Sequence, residues 1–222
     1  MFDFLEGYDL LGAFWMTVKL TVFSGIGSLV LGTILAGMRV SPVPLMRAFG
    51  TVYVNVIRNI PLTVIIVFSS AGLADVFGMT LGAADDFDAL AFRLAVLGLA
   101  AYTAAFVCEA VRSGINTVPV GQAEAARAIG LSFTQVLTHV VLPQAFRSVV
   151  GPLTNVLIAL TKNTTVAAAI GVMEAALLMK EMIENEAQLL LISAIFAFGF
   201  VVLTLPTGIV LGWVGKRVAV KR

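Results

Sequence analysis

The sequence contains little charge and almost none of the residue types that bind metals or form disulfides. Only 12% of its 222 residues are charged, and it has one cysteine and one histidine. Cys108 alone excludes an internal disulfide, and His139 without neighbouring cysteines or histidines provides no metal site. The sequence also lacks a Gly-rich phosphate-binding loop of the Walker type. We therefore expect no catalytic residue, no metal, no cofactor and no ATP hydrolysis in this chain, which is not predicted to be an enzyme.

The sequence instead contains long hydrophobic segments. Hydrophobic residues make up 59% of the chain, and the mean hydropathy is +1.02. A helix that crosses a bilayer needs about 20 mostly apolar residues. The sequence therefore predicts an all-α integral membrane protein, a single domain over residues 1–222 with about five transmembrane helices. The expected spans are about 12–38, 50–71, 89–111, 144–164 and 188–213. Gly151-Pro152 is expected to interrupt the fourth of them.

The few charges are distributed unevenly between the predicted loops. Nine of the fourteen Lys and Arg residues fall in alternate loops and at the C-terminal end: Arg39, Arg47, Arg112, Arg127, Arg147, Lys216, Arg217, Lys221 and Arg222. The intervening segments contain one basic residue, Lys180, and most acidic residues, which are Asp3, Glu6, Asp9, Asp75, Asp85, Asp86, Asp88, Glu174, Glu181, Glu184 and Glu186. Because basic loops stay in the cytoplasm, we expect the N-terminus outside and the C-terminus inside. This sidedness, with a net charge of +1, argues against nucleic-acid binding.

Two polar stripes lie inside predicted spans. Asn55, Arg58 and Asn59 share one helix face in "YVNVIRNIPL", just before Pro61, which is expected to kink the helix. Asn155 and Lys162 lie two turns apart in the fourth span. Such stripes either hydrogen-bond a neighbouring helix or line a polar pathway, and the pattern leaves both possibilities open.

Beyond the second stripe the chain continues through a segment too polar to form another span. Thr165 and Glu174 lie there, in a stretch predicted to be external or re-entrant. The mid-span regions contain almost no acidic residues. An anionic substrate would therefore be attracted by Arg58 or Lys162 without strong repulsion.

The polar stretch between the third and fourth spans, residues 112–143, is predicted to form two short helices around a corner. "QAEAARAI" is rich in helix-forming residues, and Gly130 is placed to end that helix with a positive φ. Ser132 and Gln135 have the spacing of a capping box, which predicts a second helix that must restart at Pro143. The charge asymmetry places this corner in the cytoplasm.

The same stretch resembles the EAA loop of bacterial ABC importer permeases. Glu124-Ala125-Ala126, Gly130, Val140 and Leu142-Pro143 match the pattern E-A-A-x3-G-x9-[IV]-x-L-P without a gap. The segments "RNIPL", "GINTVPVGQAEAARAIGLS", "VVLPQAFR" and "KNTTVAAAIGV" resemble the polar amino acid branch of that family, most of all its glutamate uptake systems. One difference is Asn163, where the family often has Asp.

The resemblance implies a fold and a set of partners. It implies a type I permease core in the bacterial inner membrane, with a second permease of the same or a sister kind. It also implies two cytoplasmic ATPase subunits and an extracytoplasmic amino-acid-binding protein. The residues that would couple to the ATPase are Gly121, Glu124, Ala125, Ala126, Arg127 and Gly130. Two alternatives remain at this point: a carrier driven by an ion gradient, and a partner permease that does not itself hold the substrate.

Overall fold

The computed structural model describes residues 7–218, apart from the side chains of residues 146, 147, 211, 214–216 and 218. Its helices are α1 (Leu10–Val40), α2 (Pro44–Asn59), α3 (Leu62–Val67), α4 (Phe87–Ile115), α5 (Val120–Ala128), α6 (Phe133–Gln135), α7 (Leu142–Asn163), α8 (Ala175–Glu186) and α9 (Leu189–Val218). A π-helix over Phe68–Val76 continues α3, another over Val136–Val141 joins α6 to α7, and a 3-10 helix over Thr164–Ile170 follows α7.

Helices α1 and α4 pack together along most of their length and form the centre of the molecule. Both begin at an aspartate whose carboxylate accepts a backbone N–H, Asp9 from Gly12 and Asp86 from Ala89. Gly32 of α1 faces Val107 of α4, and an added Cβ at position 32 would lie 2.6 Å from the valine side chain. Two apolar clusters fill this interface, one around Leu20 and Leu99 and the other around Leu35, Val107 and Cys108.

The number of membrane-crossing helices agrees with the number predicted. Within residues 7–218, four helices are long and apolar enough to cross a membrane: Leu10–Val40, Phe87–Ile115, Ser148–Ile170 and Leu189–Val210. The pair Pro44–Asn59 and Leu62–Val76 makes a fifth crossing if it is counted as one span.

The second span is not the kinked helix that the sequence predicted, because it is broken. Its two halves are bent by 107°. At the break, Ile60 and Pro61 are both extended, with ψ angles of 133° and 135°. A proline ring disfavours the helical conformation of the residue before it, by contact with that residue's N–H and Cβ, and the β-branched Ile60 is extended here.

The fourth span is continuous, so the interruption predicted at Gly151-Pro152 is wrong. Pro152 lies inside α7. The residue before it is a glycine, which has no Cβ to clash with the proline ring, so the helical conformation remains accessible. Unwinding α7 here would also expose several backbone polar groups to lipid, at a greater cost than the one hydrogen bond that proline removes.

Some of the charges behind the predicted orientation lie outside the described residues. These are Asp3, Glu6, Lys221 and Arg222, and the side chains of Arg147 and Lys216. Among the described residues, Arg39 lies in the last turn of α1 and Arg112 in the last turn of α4, and both contact one carboxylate, Glu109. Arg39 and Arg112, near the C-terminal ends of the two central helices, therefore lie together at one end of the molecule.

Candidate translocation and coupling sites

Helix α5 ends in a Schellman corner centred on Gly130. The Gly130 N–H donates to the Arg127 carbonyl at 2.9 Å, and the Leu131 N–H donates to the Ala126 carbonyl at 3.2 Å. Gly130 has a φ of +92°, and its side-chain direction opens into free space. The predicted C-cap is thus confirmed, and glycine is needed here for its backbone conformation, since a Cβ would meet no neighbour.

The second helix of the corner begins with the predicted capping box. The Ser132 N–H donates to Gln135 Oε1 at 2.9 Å, and the Gln135 N–H donates to Ser132 Oγ at 3.4 Å. Pro143 lies in the first turn of α7, directly after the π-helix. Helix α6, the π-helix and α7 therefore follow one another without an intervening loop. The corner is therefore joined directly to a membrane span.

The residues predicted to couple to an ATPase do not all face the same way. Glu124, Ala125 and Arg127 are exposed, and within the described side chains no ion pair joins Glu124 to Arg127. Ala126 is instead buried, in contact with the apolar cluster of Val136 and Val141. The small side chain at 126 thus allows close packing of α5 on the π-helix inside this chain, and the surface available to a partner is formed by its neighbours.

A cavity of about 340 Å³ opens between α4 and α7. Its lining residues are Tyr102, Thr103, Phe106, Asn155, Val156, Ala159 and Asn163. Thr103 Oγ1 is buried and has no hydrogen-bond partner among the described residues. The cavity is mostly apolar with a few polar groups on facing helices, which is the usual character of a small-molecule site.

The structure brings some of the predicted pathway residues to this cavity and leaves others away from it. Asn155 lines it, as does Asn163, two turns further along α7. Lys162 and Thr165 are not among the lining residues; the Thr165 hydroxyl donates to the Lys162 carbonyl at 2.8 Å. The predicted face of α7 is therefore completed by Asn163, eight positions after Asn155, while Lys162 points to the exposed surface.

The stripe on α2 is exposed and ends beside the cavity. Asn55, Arg58 and Asn59 are all exposed, and Asn59 Nδ2 donates to the Asn55 carbonyl at 2.6 Å. The Arg58 guanidinium lies over the ring of Phe106 at 5.5 Å, and Phe106 is one of the lining residues. The two predicted stripes thus approach each other through Phe106.

Glu109, the residue at the centre of the ionic contacts, is not among the residues predicted from the sequence. Its carboxylate is hydrogen-bonded to Arg39 of α1, and lies 3.9 Å from Arg58 Nη1 of α2 and 3.6 Å from Arg112 Nη2 of α4. Glu109 falls in the predicted span 89–111, where almost no acidic residues were expected. An ionisable residue inside a span, three positions from Arg112, is the signal that could have identified it.

Glu174 lies away from the cavity, at the start of α8. Its side chain is fully buried, and its carboxylate accepts N–H groups from Ala176 at 2.9 Å and Leu177 at 3.0 Å. The Ala175 N–H donates to Thr17 Oγ1 of α1. Glu174 therefore caps α8 at the place where that helix is fixed to α1, and its predicted position on the substrate pathway is not supported by any contact with the cavity-lining residues.

Metal-binding side chains do not assemble in the described part of the chain. Across residues 7–218, no group of three or more His, Cys, Asp and Glu side chains is placed to hold a metal ion. The polar groups that line the cavity are the amides of Asn155 and Asn163 and the hydroxyls of Tyr102 and Thr103, with the Arg58 guanidinium beside them, and such groups can bind and orient a polar solute.

The chain is similar over almost its whole length to permeases of known transport systems. It is 56% identical to the glutamate transport system permease protein GluC of Corynebacterium efficiens, covering 97% of this chain and 96% of that protein. It is 53% identical to the protein of the same name in Corynebacterium glutamicum, with the same coverage.

A solved structure and a family match agree with these relatives. The crystal structure of an amino acid ABC transporter with histidines superposes with a TM-score of 0.79 at 27% identity, covering 94% of this chain and 93% of that one. Residues 28–220 match the family described as the binding-protein-dependent transport system inner membrane component. The chain belongs to this family, and it is a multi-pass inner-membrane permease subunit of an ABC importer.

Proposed function

We propose that this permease imports glutamate, in a pair with a second permease that is either a copy of itself or a sister chain. The supporting observation is its identity of 56% and 53%, over nearly the full chain, to two permeases of glutamate transport systems. In this assembly two ATPase subunits lie on the cytoplasmic side, and a binding protein delivers the amino acid from outside. The N-terminus is then outside and the C-terminus inside.

The substrate pathway that we propose runs along the α4–α7 cavity and the polar end of α2. None of the seven residues that line the cavity is acidic, so an anion entering it meets no like charge from them. Asn155, Asn163 and Thr103 offer hydrogen bonds to a carboxylate or ammonium group, and Arg58 supplies positive charge at the Phe106 side. Asn55 and Asn59 extend the polar surface, and Lys162, on the exposed side of α7, adds a second cation to the approach.

The contact with the ATPase that we propose is the exposed surface of α5. Gly121, Glu124, Ala125 and Arg127 form this surface, with Ala126 packing it onto the chain and Gly130 setting the corner. Because the corner continues into α7, a displacement of α5 is transmitted to the helix that lines the cavity. Glu124→Lys should weaken association with the ATPase, and unchanged co-purification of the two subunits would contradict this contact.

The substrate is tested by uptake into proteoliposomes that contain the complete importer and its binding protein. We expect ATP-dependent uptake of labelled glutamate that excess unlabelled glutamate suppresses more strongly than glutamine or arginine. ATP-dependent uptake of another amino acid, without glutamate uptake, would overturn the proposed substrate. Uptake that follows an ion gradient and ignores ATP would instead support a secondary carrier.

The same assay distinguishes a permease that holds the substrate from one that only completes the pair. Asn155→Ala and Arg58→Ala should each reduce glutamate uptake if this chain forms the pathway, because both remove polar groups at or beside the cavity. Unchanged uptake in both variants would assign the substrate to the second permease.

A further inference from the structure

Three arginines from three helices share a single carboxylate. Arg39 of α1, Arg58 of α2 and Arg112 of α4 all lie within 4 Å of Glu109. Three guanidinium groups face one carboxylate, so the cluster carries more positive charge than Glu109 neutralises. The Nε of Arg112 is also buried without a hydrogen-bond partner among the described residues. A partly buried excess of cationic charge favours the approach of a further anion.

The three contacts with Glu109 differ in strength. Arg39 is hydrogen-bonded to the carboxylate, and its side chain is 10% exposed. Arg58 reaches only 3.9 Å, beyond hydrogen-bonding distance, and its side chain is 45% exposed. Arg39 and Glu109 therefore form the fixed part of the cluster, and Arg58 is the member that is most easily drawn to another carboxylate.

The position of Arg58 makes such an exchange possible. Its guanidinium lies over Phe106, whose ring also lines the cavity between α4 and α7. A carboxylate at that side of the cavity would approach the same guanidinium that Glu109 contacts from α4. Arg58 also lies in the last turn of α2, one residue before the helix ends at Asn59, so its backbone is close to the break at Pro61.

We propose that Glu109 competes with the anionic substrate for Arg58. When the cavity is empty, Glu109 holds the Arg58 guanidinium. When a substrate with a side-chain carboxylate enters, Arg58 moves from Glu109 to that carboxylate, and Arg39 and Arg112 keep Glu109 neutralised. Glu109 is then a positioning residue that sets the affinity for anionic over neutral amino acids. This inference rests on the proposed import of glutamate.

The test compares glutamate with glutamine, which has nearly the same shape but no side-chain charge. Binding of each labelled amino acid is measured on the purified permease–ATPase complex in nanodiscs, without the binding protein. In Glu109→Gln the carboxylate competitor is lost while an oxygen remains to accept from Arg39. We expect the Kd for glutamate to fall about two- to fivefold, the range of a single half-exposed ion pair, and the Kd for glutamine to stay unchanged.

A double-mutant cycle with Arg58 separates competition from a purely structural role. Arg58→Gln should raise the Kd for glutamate about tenfold, because a charge-assisted hydrogen bond is lost, and should affect glutamine little. Adding Glu109→Gln to Arg58→Gln should then change nothing further. Arg47→Gln is the matched control, since Arg47 is an exposed arginine about three turns earlier on the same helix, and it should leave both Kd values unchanged.

The outcomes are distinct. If Glu109→Gln weakens both ligands equally, or tightens glutamate even without Arg58, Glu109 is a structural residue and the inference is overturned. If that variant does not assemble, Glu109→Asp withdraws the carboxylate from Arg58 while keeping its charge, and it must also favour glutamate for the inference to stand. If the wild-type complex binds glutamine and not glutamate, the proposed function fails. If the wild-type complex binds glutamate and the variants do not change the Kd for glutamate, the inference alone fails.

Discussion

Glu174 combines complete burial with an ionisable group. Burial raises the pKa of the Glu174 carboxyl from 4.5 to about 7, while the hydrogen bonds from the Ala176 and Leu177 N–H groups favour the charged form and limit the rise. The folded protein therefore binds this proton more tightly than the unfolded chain does. The resulting stabilisation is fully present below pH 4.5 and is lost as the pH rises through about 7.

Glu174→Gln should remove this pH dependence, because the amide keeps an acceptor for the α8 N–H groups and does not titrate. We expect the melting temperature of the variant, relative to wild type, to increase between pH 5 and pH 8. The underlying difference in the free energy of unfolding is of the order of 3 kcal/mol. The melting temperatures are measured on the purified complex, with tryptophan fluorescence as the signal.

The matched control for Glu174 is Glu184→Gln on the same helix. Glu184 is exposed and lies 3.6 Å from Lys180 in a surface ion pair. Neutralising it should leave the pH dependence of melting as in wild type, because exposed pairs contribute little. Equal pH profiles in wild type and Glu174→Gln would contradict the assignment to the buried carboxyl.

At the scale of the elements, the corner after α5 depends on one backbone conformation. Gly130→Val forces a β-branched residue to a φ of +92°, at a cost of more than about 1–2 kcal/mol, although the space for its side chain is open. The Schellman hydrogen bonds should be lost, and with them the transfer of ATPase movement to α7. We expect ATP-dependent uptake to fall at least tenfold, since a loss of about 1.4 kcal/mol of coupling energy corresponds to a factor of ten. Insertion in the membrane should remain normal.

Gly130→Asn distinguishes the backbone from the partner surface. Asparagine enters the left-handed region far more readily than valine, so it should restore most of the uptake that valine abolishes. Full uptake by Gly130→Val would show that the corner is dispensable. Equal losses in both variants would mean that the partner needs the empty space above Gly130, whatever the backbone does.

Two prolines show how much of these elements could be read from the sequence. Pro61 was predicted to kink a helix and breaks it by 107°, whereas Pro152 was predicted to interrupt a helix and lies inside one. The residue before each proline contributes to this difference, because Ile60 has a β-branched side chain and Gly151 has none. It does not decide the result alone, since Leu205 precedes Pro206 inside α9. The identity of these two preceding residues was visible in the sequence. The bend angle was not, because it also depends on how α3 packs against the rest of the chain.

The candidate sites were predictable to different degrees for a similar reason. The capping box and the Gly130 corner are made by residues a few positions apart, so their geometry follows from local spacing. The Glu109 cluster joins residues of three helices, and no spacing in the sequence brings Arg39 or Arg58 to it. Likewise the burial of Ala126 depends on the π-helix that packs against α5.

At the scale of the whole molecule, the orientation in the membrane can be tested with one reactive residue at a time. Cys108 is the only cysteine of the chain and is buried, so Cys108→Ala gives a background without reactive thiols. Asp85→Cys, before α4, and Thr134→Cys, in α6, both introduce an exposed thiol. A membrane-impermeant maleimide should label position 85 in intact cells and position 134 only after permeabilisation. The reverse pattern would invert the proposed topology.

The break at Ile60–Pro61 also gives α2 the mechanics of a lever. Its sixteen residues form a rod of about 24 Å that is not joined to α3 by a continuous helix. A tilt of only about 10° moves one end of such a rod by about 4 Å relative to the other. A displacement of that size is comparable to the whole distance between Arg58 and Glu109, 3.9 Å. A small rotation at the start of α2 is therefore enough to make or release that contact without deforming either helix.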